Sequence, residues 1–162
     1  MNANTNTKLR FGLWYDFRNP PQWRRPYTDI YGEVFDQIVW AEQNGFDDVW
    51  LQEHHFHEDG FSSSVLPIAA ALAARTKTIR IGTAVMLLPL HNPVRVAEDG
   101  ATIDIISEGR FQLGVGNGYK VEEFESPPPD LSAVIAFPSP GPLLNPNPAI
   151  GIPFAAVTAR EA

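Results

Sequence analysis

Residues 78–88, which read TIRIGTAVMLL, decide the fold class of this chain. After Arg80 the segment is apolar almost throughout, whichever face of an extended backbone is considered. That pattern is typical of a parallel strand that helices cover on one side and side chains fill on the other. Asn92 and Pro93 follow as a helix cap and a first helical residue. We therefore predict a strand, loop and helix of a parallel α/β fold.

Strands and helices alternate on both sides of this segment. Three more strands are predicted by apolar runs, at residues 9–14, 46–52 and 111–116. Three helices are predicted by apolar stripes, made of Ile30, Val34, Ile38 and Ala41; of Val65, Ala69 and Leu72; and of Val94, Ala97, Ala101 and Ile105. We expect the first helix to start near Asp29 and stop at Gly45, and the second to follow Ser64. Four strands joined in turn by helices indicate half of a (β/α)8 barrel or one wing of a doubly wound sheet.

The composition excludes several classes of function. The 162 residues carry 19 acidic and 12 basic side chains without a long basic run, so nucleic acid is not an expected partner. The absence of cysteine excludes disulfides, thiolate metal sites and cysteine nucleophiles. No apolar run is long enough to span a membrane, and the polar start lacks the features of a secretory signal. We therefore expect no membrane partner and predict a cytoplasmic location.

The character of the chain changes near residue 126. Nine of the 15 prolines lie between Pro127 and Pro153, a composition that supplies neither helices nor strand donors. We predict that residues 8–125 form the α/β domain and that residues 126–162 are a disordered or non-native extension. A proline-rich ligand is the alternative, although no PxxP block flanked by arginines supports it.

In parallel α/β folds, ligands bind at the carboxyl ends of the strands, so the loops there are the candidate sites. The loop after the second strand is the most polar, with the sequence EHHFHED at residues 53–59. Histidine titrates near neutral pH, so proton transfer by one of these histidines is the favoured interpretation. A metal site competes with it, but no HExxH pair is present and a facial triad would need a distant ligand. Purely structural histidines are the third alternative.

Two other loops carry weaker signals. The glycine turn at residues 114–118, GVGNG, lacks the GxGxxG spacing and is either a tight turn or a close approach to a ligand. The loop after the first strand contains Trp14, Tyr15, Phe17 and Trp23, which either wall an apolar substrate pocket or belong to the core.

Four motifs together resemble the bacterial luciferase-like flavin-dependent monooxygenases in order and spacing. They are QEHHF at residues 52–56, IGTAV at 81–85 leading to Leu88 and Pro89, HNPVRVAED at 91–99, and GRF at 109–111 with GVG at 114–116. The resemblance covers about residues 9–124. It implies a TIM (β/α)8 barrel, truncated here to about the first four βα units.

The resemblance also implies an activity, in which reduced FMN and molecular oxygen oxidise an aldehyde or a similar small organic substrate. A flavin reductase would supply the reduced FMN, and the family's dimers imply a homodimer. The first histidine of EHHF, His54, resembles the catalytic histidine of the family. The bond Ala84–Val85 matches a cis peptide beneath the flavin ring. Where luciferase has a reactive cysteine and an arginine, this chain has Gly116 and Asn117, which argues against light emission.

The resemblance assigns the remaining site residues as follows, with no metal ligand among them. Cofactor binding is expected from Ala84, Val85, Met86, Gly116 and Asn117; a substrate pocket from Trp14 and His91; and a dimer contact from His55 and Glu98.

Two alternatives to an FMN monooxygenase stay open. One is an oxidoreductase of the same fold that uses the deazaflavin F420 for hydride transfer. The other is a non-catalytic half-barrel that acts only by dimerising. The activity of the FMN monooxygenase is expected to be impaired by the truncation, because a half-barrel leaves its site uncovered and open to water.

Overall fold

The computed structural model describes residues 9–125, and the prediction for residues 126–162 falls outside this range. The strands are β1 (Gly12–Tyr15), β2 (Asp48–Leu51), β3 (Arg80–Thr83), β4 (Met86–Leu87), β5 (Phe111–Gln112) and β6 (Val115–Gly116). The helices are α1 (Tyr27–Gln43), α2 (Val65–Arg75), α3 (Pro93–Ser107) and α4 (Val121–Glu125), with short 3-10 turns at Pro21–Trp23 and Leu88–Leu90. None of the helices in the described range has both the length and the apolar character of a membrane span.

The main sheet is parallel, and its strands follow one another in chain order. The order is β1, β2, β3 and β5, and β4 pairs with β6 in a second parallel ladder. Helices α1, α2 and α3 connect the successive strands of the main sheet. In a βα barrel, neighbouring strands follow one another in chain order, and this sheet has the same order. The predicted parallel βα arrangement is therefore confirmed.

The third and fourth predicted strands are each interrupted. The chain leaves β3 at Thr83 and resumes in β4 at Met86, and the bond between Ala84 and Val85 is cis, as predicted. The Thr83 hydroxyl donates to the Gly114 carbonyl at 2.7 Å and accepts from the Gly114 amide at 3.0 Å. The Thr83 hydroxyl thus bonds where backbone groups would pair in a regular ladder. Gly114 permits this close approach, since a Cβ there would overlap the Thr83 carbonyl.

The hydrophobic core lies between the sheet and its helices. From the sheet it receives Val49, Leu51 and Ile81, all fully buried. The stripes predicted for α1 and α2 pack there, namely Ile30, Ile38 and Ala41 with the half-buried Val34, and Val65, Ala69 and Leu72. The first helix begins at Tyr27, ahead of the expected start, and Asn92 caps α3 by accepting from the amides of Val94 and Arg95.

The stripe predicted for α3 is wrong. Val94, Ala97, Ala101 and Ile105 are exposed, whereas the buried residues of this helix are Val96, Gly100, Ile103 and Ser107. The helical period was correct, but the buried face contains a glycine and a serine, so it is not the most apolar one. Gly100 faces the Phe111 ring of β5, where the small residue allows close packing. An apolar stripe therefore lies on the side of α3 that faces away from the core.

The other face of the sheet carries large aromatic rings beside a glycine. Trp14 of β1, Trp50 of β2 and Gly82 of β3 are aligned in register across the three strands. A Cβ at residue 82 would overlap the Trp50 ring, so the glycine leaves the space that the indole occupies. These three residues lie on the face of the sheet that is opposite the helices.

Glu42, in the last turn of α1, anchors the entrance of β3. Its half-buried carboxylate accepts the backbone amides of Lys77, Thr78 and Ile79 at 2.7, 2.5 and 2.9 Å. Burial raises the pKa of Glu42, but these hydrogen bonds to the charged form outweigh it, and the pKa is lowered from its ordinary value of 4.5.

Replacing Glu42 with glutamine should therefore destabilise the protein in a pH-dependent way. The carboxylate stabilises the fold fully above pH 4.5 and loses this effect as the pH falls through its lowered native pKa. We expect Glu42→Gln to lower the free energy of unfolding by about 1 kcal/mol at pH 7, after allowance for solvent screening. Urea unfolding at pH 7 and pH 3 measures this difference, which should shrink in acid. The exposed Glu58→Gln serves as the control, and an equal loss at both pH values would contradict the assignment.

Candidate active site

The polar loops meet at the carboxyl edge of the parallel strands, as the strand directions require. A cleft of about 300 Å³ opens there. It is lined by Gln52, Glu53, His54, Ala84, Val85, Leu87, Gly118 and Tyr119. Residues from the ends of β2 and β3, from β4 and from the loop after β6 thus form one concave surface, of a size at the lower end for small-molecule sites.

His54 is held in a fixed orientation within this cleft. Its Nδ1 lies 2.8 Å from Oε1 of Glu123, and the Phe61 ring packs edge-on at 4.8 Å between centroids. Because an ionised carboxylate only accepts hydrogen bonds, Nδ1 carries the proton and Nε2 is the basic nitrogen. The side chain is 17% exposed, so a ligand in the cleft can reach it.

Glu123 is a buried carboxylate that the sequence did not reveal as a site residue. Its Oε1 also accepts the backbone amide of His55 at 2.9 Å. Burial raises the pKa of Glu123, but the bonds from the His55 amide and His54, together with the Lys120 charge, outweigh it and lower the pKa. Glu123 is therefore an anion that orients His54 and fixes the backbone of the EHHF motif.

Glu53 forms the second buried carboxylate of this edge. Its Oε1 accepts hydrogen bonds from Nε2 of His55 and Nε2 of His91, each at 2.7 Å, and its Oε2 accepts the Leu87 amide at 3.3 Å. Burial raises the pKa of Glu53, but the two histidines outweigh this effect and the pKa is lowered. The loops after β2 and β4 are thus joined through one carboxylate.

The structure brings some of the predicted cofactor residues into the cleft and leaves others out. Ala84 and Val85 line it, whereas the side chain of Met86 lies in the hydrophobic core. Gly116 lies directly against the Val85 side chain. Asn117 is not among the lining residues, and Gly118 and Tyr119 take that place.

The two predicted substrate-pocket residues lie in different places. Trp14 lines a hollow with Trp50 and Ala84, whereas His91 lines a separate pocket with Met86. Among the described residues the two therefore line separate hollows, and a substrate pocket formed by Trp14 and His91 stays a prediction.

The predicted interface residues have intrachain partners. His55 is bonded to Glu53, and Glu98 on the exposed side of α3 pairs with Arg95 at 3.2 Å. A contact between His55 and Glu98 of a second chain stays a prediction.

The parallel βα units and the histidine–carboxylate cleft at their carboxyl edge define a protein of the α/β-barrel class. The family model for luciferase-like monooxygenases matches residues 9–132, and the chain belongs to this family. The family and the fold class predicted from the sequence motifs are thereby confirmed.

Known relatives are considerably longer than this chain. The alkanal monooxygenase alpha chain of Photorhabdus laumondii subsp. laumondii is 36% identical over 116 residues, which cover 72% of this chain and 32% of that protein. The chain spans between about a fifth and a third of the curated relatives that it matches.

Two solved structures share the fold and differ in cofactor. The oxygenating constituent of 3,6-diketocamphane monooxygenase from the CAM plasmid of Pseudomonas putida, in complex with FMN, has a TM-score of 0.63 and 25% identity over 70% of this chain and 30% of its own. An F420-dependent secondary alcohol dehydrogenase in complex with an F420-acetone adduct has a TM-score of 0.54 and 27% identity over 68% of this chain and 32% of its own.

Proposed function

We propose that this chain forms the FMN and substrate edge of a flavin-dependent monooxygenase that oxidises an aldehyde or a similar small organic molecule with O2. The observation that carries the proposal is His54, oriented by the buried Glu123 at a cleft whose floor is Ala84 and Val85. Family membership supplies the class of reaction.

An apolar surface in the cleft supports the proposal that a flavin ring binds there. Val85 is 41% exposed and presents an apolar surface, and a Cβ at Gly116 would lie 2.7 Å from its Cγ2. Gly118 has a positive φ of 76°, a conformation that glycine adopts without strain. Gly116 lets β6 lie close to Val85, and Gly118 lets the following loop lie close to Phe124 and Leu87. The apolar surface of Val85 offers a platform for a flat ligand.

The charge of the cleft suits the flavin ring but not the phosphate of FMN. The lining contains Glu53 and no lysine or arginine, so the described residues of the cleft offer the phosphate no cation. We propose that Ala84, Val85, Gly116 and Gly118 contact the flavin ring and that the phosphate is bound outside this cleft.

His54 acts as the general base in this proposal. FMN, when bound, supplies the electrons that activate oxygen. Nε2 of His54 accepts a proton from the substrate in the cleft, and Glu123 stabilises the imidazolium through the bond at Nδ1. A carboxylate that orients and stabilises a histidine in this way is a recurrent arrangement in acid–base catalysis.

The cleft is open to solvent, which affects the activity to be expected. Tyr119 at its rim is 79% exposed. Water in an oxidising site promotes side reactions of the activated cofactor. Flavin binding should therefore be easier to detect than turnover of the isolated chain. A non-catalytic half-barrel remains the alternative if no flavin binds.

A second cofactor has support from one comparison. The F420-dependent alcohol dehydrogenase shares the fold of the matched region. In that case the same apolar platform would hold a deazaflavin for hydride transfer. Titration with FMN and with F420 separates the two functions.

We also propose two protein partners. A flavin reductase would supply reduced FMN, in line with the name "oxygenating constituent" of the FMN-bound relative. A second copy would cover the apolar stripe of α3, with His55 and Glu98 of the two chains in contact. The exposure of Ile105, at 79%, supports an interface on this side.

FMN binding tests the cofactor proposal directly. We expect saturable quenching of flavin fluorescence with a dissociation constant in the micromolar range. Gly116→Leu should weaken binding at least about tenfold, because its side chain would collide with Val85 and cover the platform. Gly32→Leu is the matched control, since a Cβ at Gly32 meets nothing within 4 Å. Equal affinity of both variants would place the flavin elsewhere.

Turnover tests the role of His54. With reduced FMN, O2 and an aldehyde, His54→Ala should lower the rate of carboxylic acid formation by about 100-fold or more, while FMN affinity stays within about threefold. His57→Ala, in the same loop, should keep the wild-type rate. Equal losses of rate in both variants would contradict the assignment of His54 as the general base.

Sedimentation velocity tests the dimer. We expect the wild-type chain to sediment as a dimer and Ile105→Glu to shift it to monomer, because a charge would be buried at the centre of the stripe. Ile106→Glu makes the same replacement at a neighbouring exposed residue outside the stripe and should leave the dimer intact. A wild-type monomer, or a dimer insensitive to Ile105→Glu, would contradict this interface.

A further inference from the structure

The cluster of Glu53, His55 and His91 is used by neither the flavin nor the base proposed above. Each residue offers one ligand atom, and these atoms lie within 4.8 Å of one another. Both imidazole Nε2 atoms already contact the same carboxylate oxygen at 2.7 Å. We propose that this cluster binds one divalent transition-metal ion.

The separations of the ligand atoms suit such an ion. Zinc binds imidazole nitrogen and carboxylate oxygen at about 2.0–2.2 Å, so tetrahedral ligands lie roughly 3.3–3.5 Å apart. The nitrogens of His55 and His91 must therefore each move from Glu53 by less than about 1 Å. The two nitrogens lie within 4.8 Å of each other and would also have to come closer on binding. Both histidines lie in loops, outside the helices and strands.

The charge of the cluster also calls for a cation. Glu53 has no exposed side-chain surface, and within residues 9–125 its ion-pair partners are His55 and His91, without a lysine or an arginine. A divalent cation bound at Oε1 would balance the negative charge of this buried carboxylate.

The surroundings hold the carboxylate in position and leave a path for the ion. The Leu87 amide bonds to Oε2 of Glu53, which leaves Oε1 for the metal. The side chains of His55 and His91 are 19% and 28% exposed, so an ion can enter from solvent.

The ligand types decide which ions are suitable. Two imidazoles and one carboxylate favour Zn²⁺, Co²⁺ or Fe²⁺ and leave at least one coordination position open. Mg²⁺ and Ca²⁺ prefer ligand sets made of oxygen. The ion would bridge the loops after β2 and β4, two segments far apart in the chain, and would stabilise the folded state by mass action.

Co²⁺ binding to the full chain, freed of metal with a chelator, tests the site. We expect one Co²⁺ per chain with a visible absorption spectrum, displacement by Zn²⁺, and a thermal midpoint that rises with Zn²⁺ concentration. His91→Gln should weaken binding at least about 100-fold, because loss of a direct ligand costs more than loss of an outer contact. His57→Gln is the matched control and should bind as the wild type does, since His57 lies outside the cluster.

Circular dichroism without metal shows whether His91→Gln is folded, and His55→Gln replaces it if it is not. Absence of saturable Co²⁺ binding below about millimolar concentration overturns the proposal, as does unchanged binding in a folded His91→Gln or His55→Gln variant. Loss of binding in His57→Gln would also overturn it, because another histidine would then be the ligand. The result is independent of flavin binding, which is measured separately on the same protein.

Discussion

Two buried carboxylates determine the arrangement of the carboxyl edge of this sheet. An ionised carboxylate in the protein interior is unfavourable unless hydrogen-bond donors surround it. Glu53 obtains its donors from His55, His91 and the Leu87 amide. Oε1 of Glu123 obtains its donors from His54 and the His55 amide, whereas its buried Oε2 has no partner within residues 9–125. These bonds join the loops after β2, β4 and β6. The orientation of His54, on which the proposed chemistry depends, follows from its bond to Glu123.

The same arrangement links the proposed base, metal site and interface. Adjacent residues His54 and His55 turn to different acceptors, one to Glu123 and the other to Glu53. The Nδ1 of His55 is not used by Glu53, and a carboxylate such as Glu98 of a second chain would be a suitable acceptor for it. In metal sites, a histidine ligand usually donates its other nitrogen to a carboxylate or a carbonyl. A dimer and a metal ion at this position are therefore compatible.

The sequence predicted the fold better than the site. The largely apolar segment after Arg80 and the cap at Asn92 were sufficient to predict the parallel βα arrangement, because both signals lie in consecutive residues. The buried face of α3 was assigned wrongly, since Gly100 and Ser107 are buried for reasons of packing and not of hydrophobicity. Glu123 was missed because α4 has five residues, too few for a helical period. The pairing of Glu53 with His91 joins positions 38 residues apart, which no local pattern reports.

The missing side chain at Gly82 has a consequence for how this protein can vary. Its place is taken by the Trp50 ring of the neighbouring strand, so the two positions share one volume. Selection on either residue alone is strongly constrained, because an added methyl group overlaps the indole and a lost indole leaves a void. A library that varies positions 50 and 82 together would contain compensating pairs of residues. Stepwise mutation reaches these pairs only through single variants of lower stability. Since Trp50 lies between Trp14 and Gly82, such exchanges would reshape the hollow beside Ala84 while leaving the helices and the core unchanged.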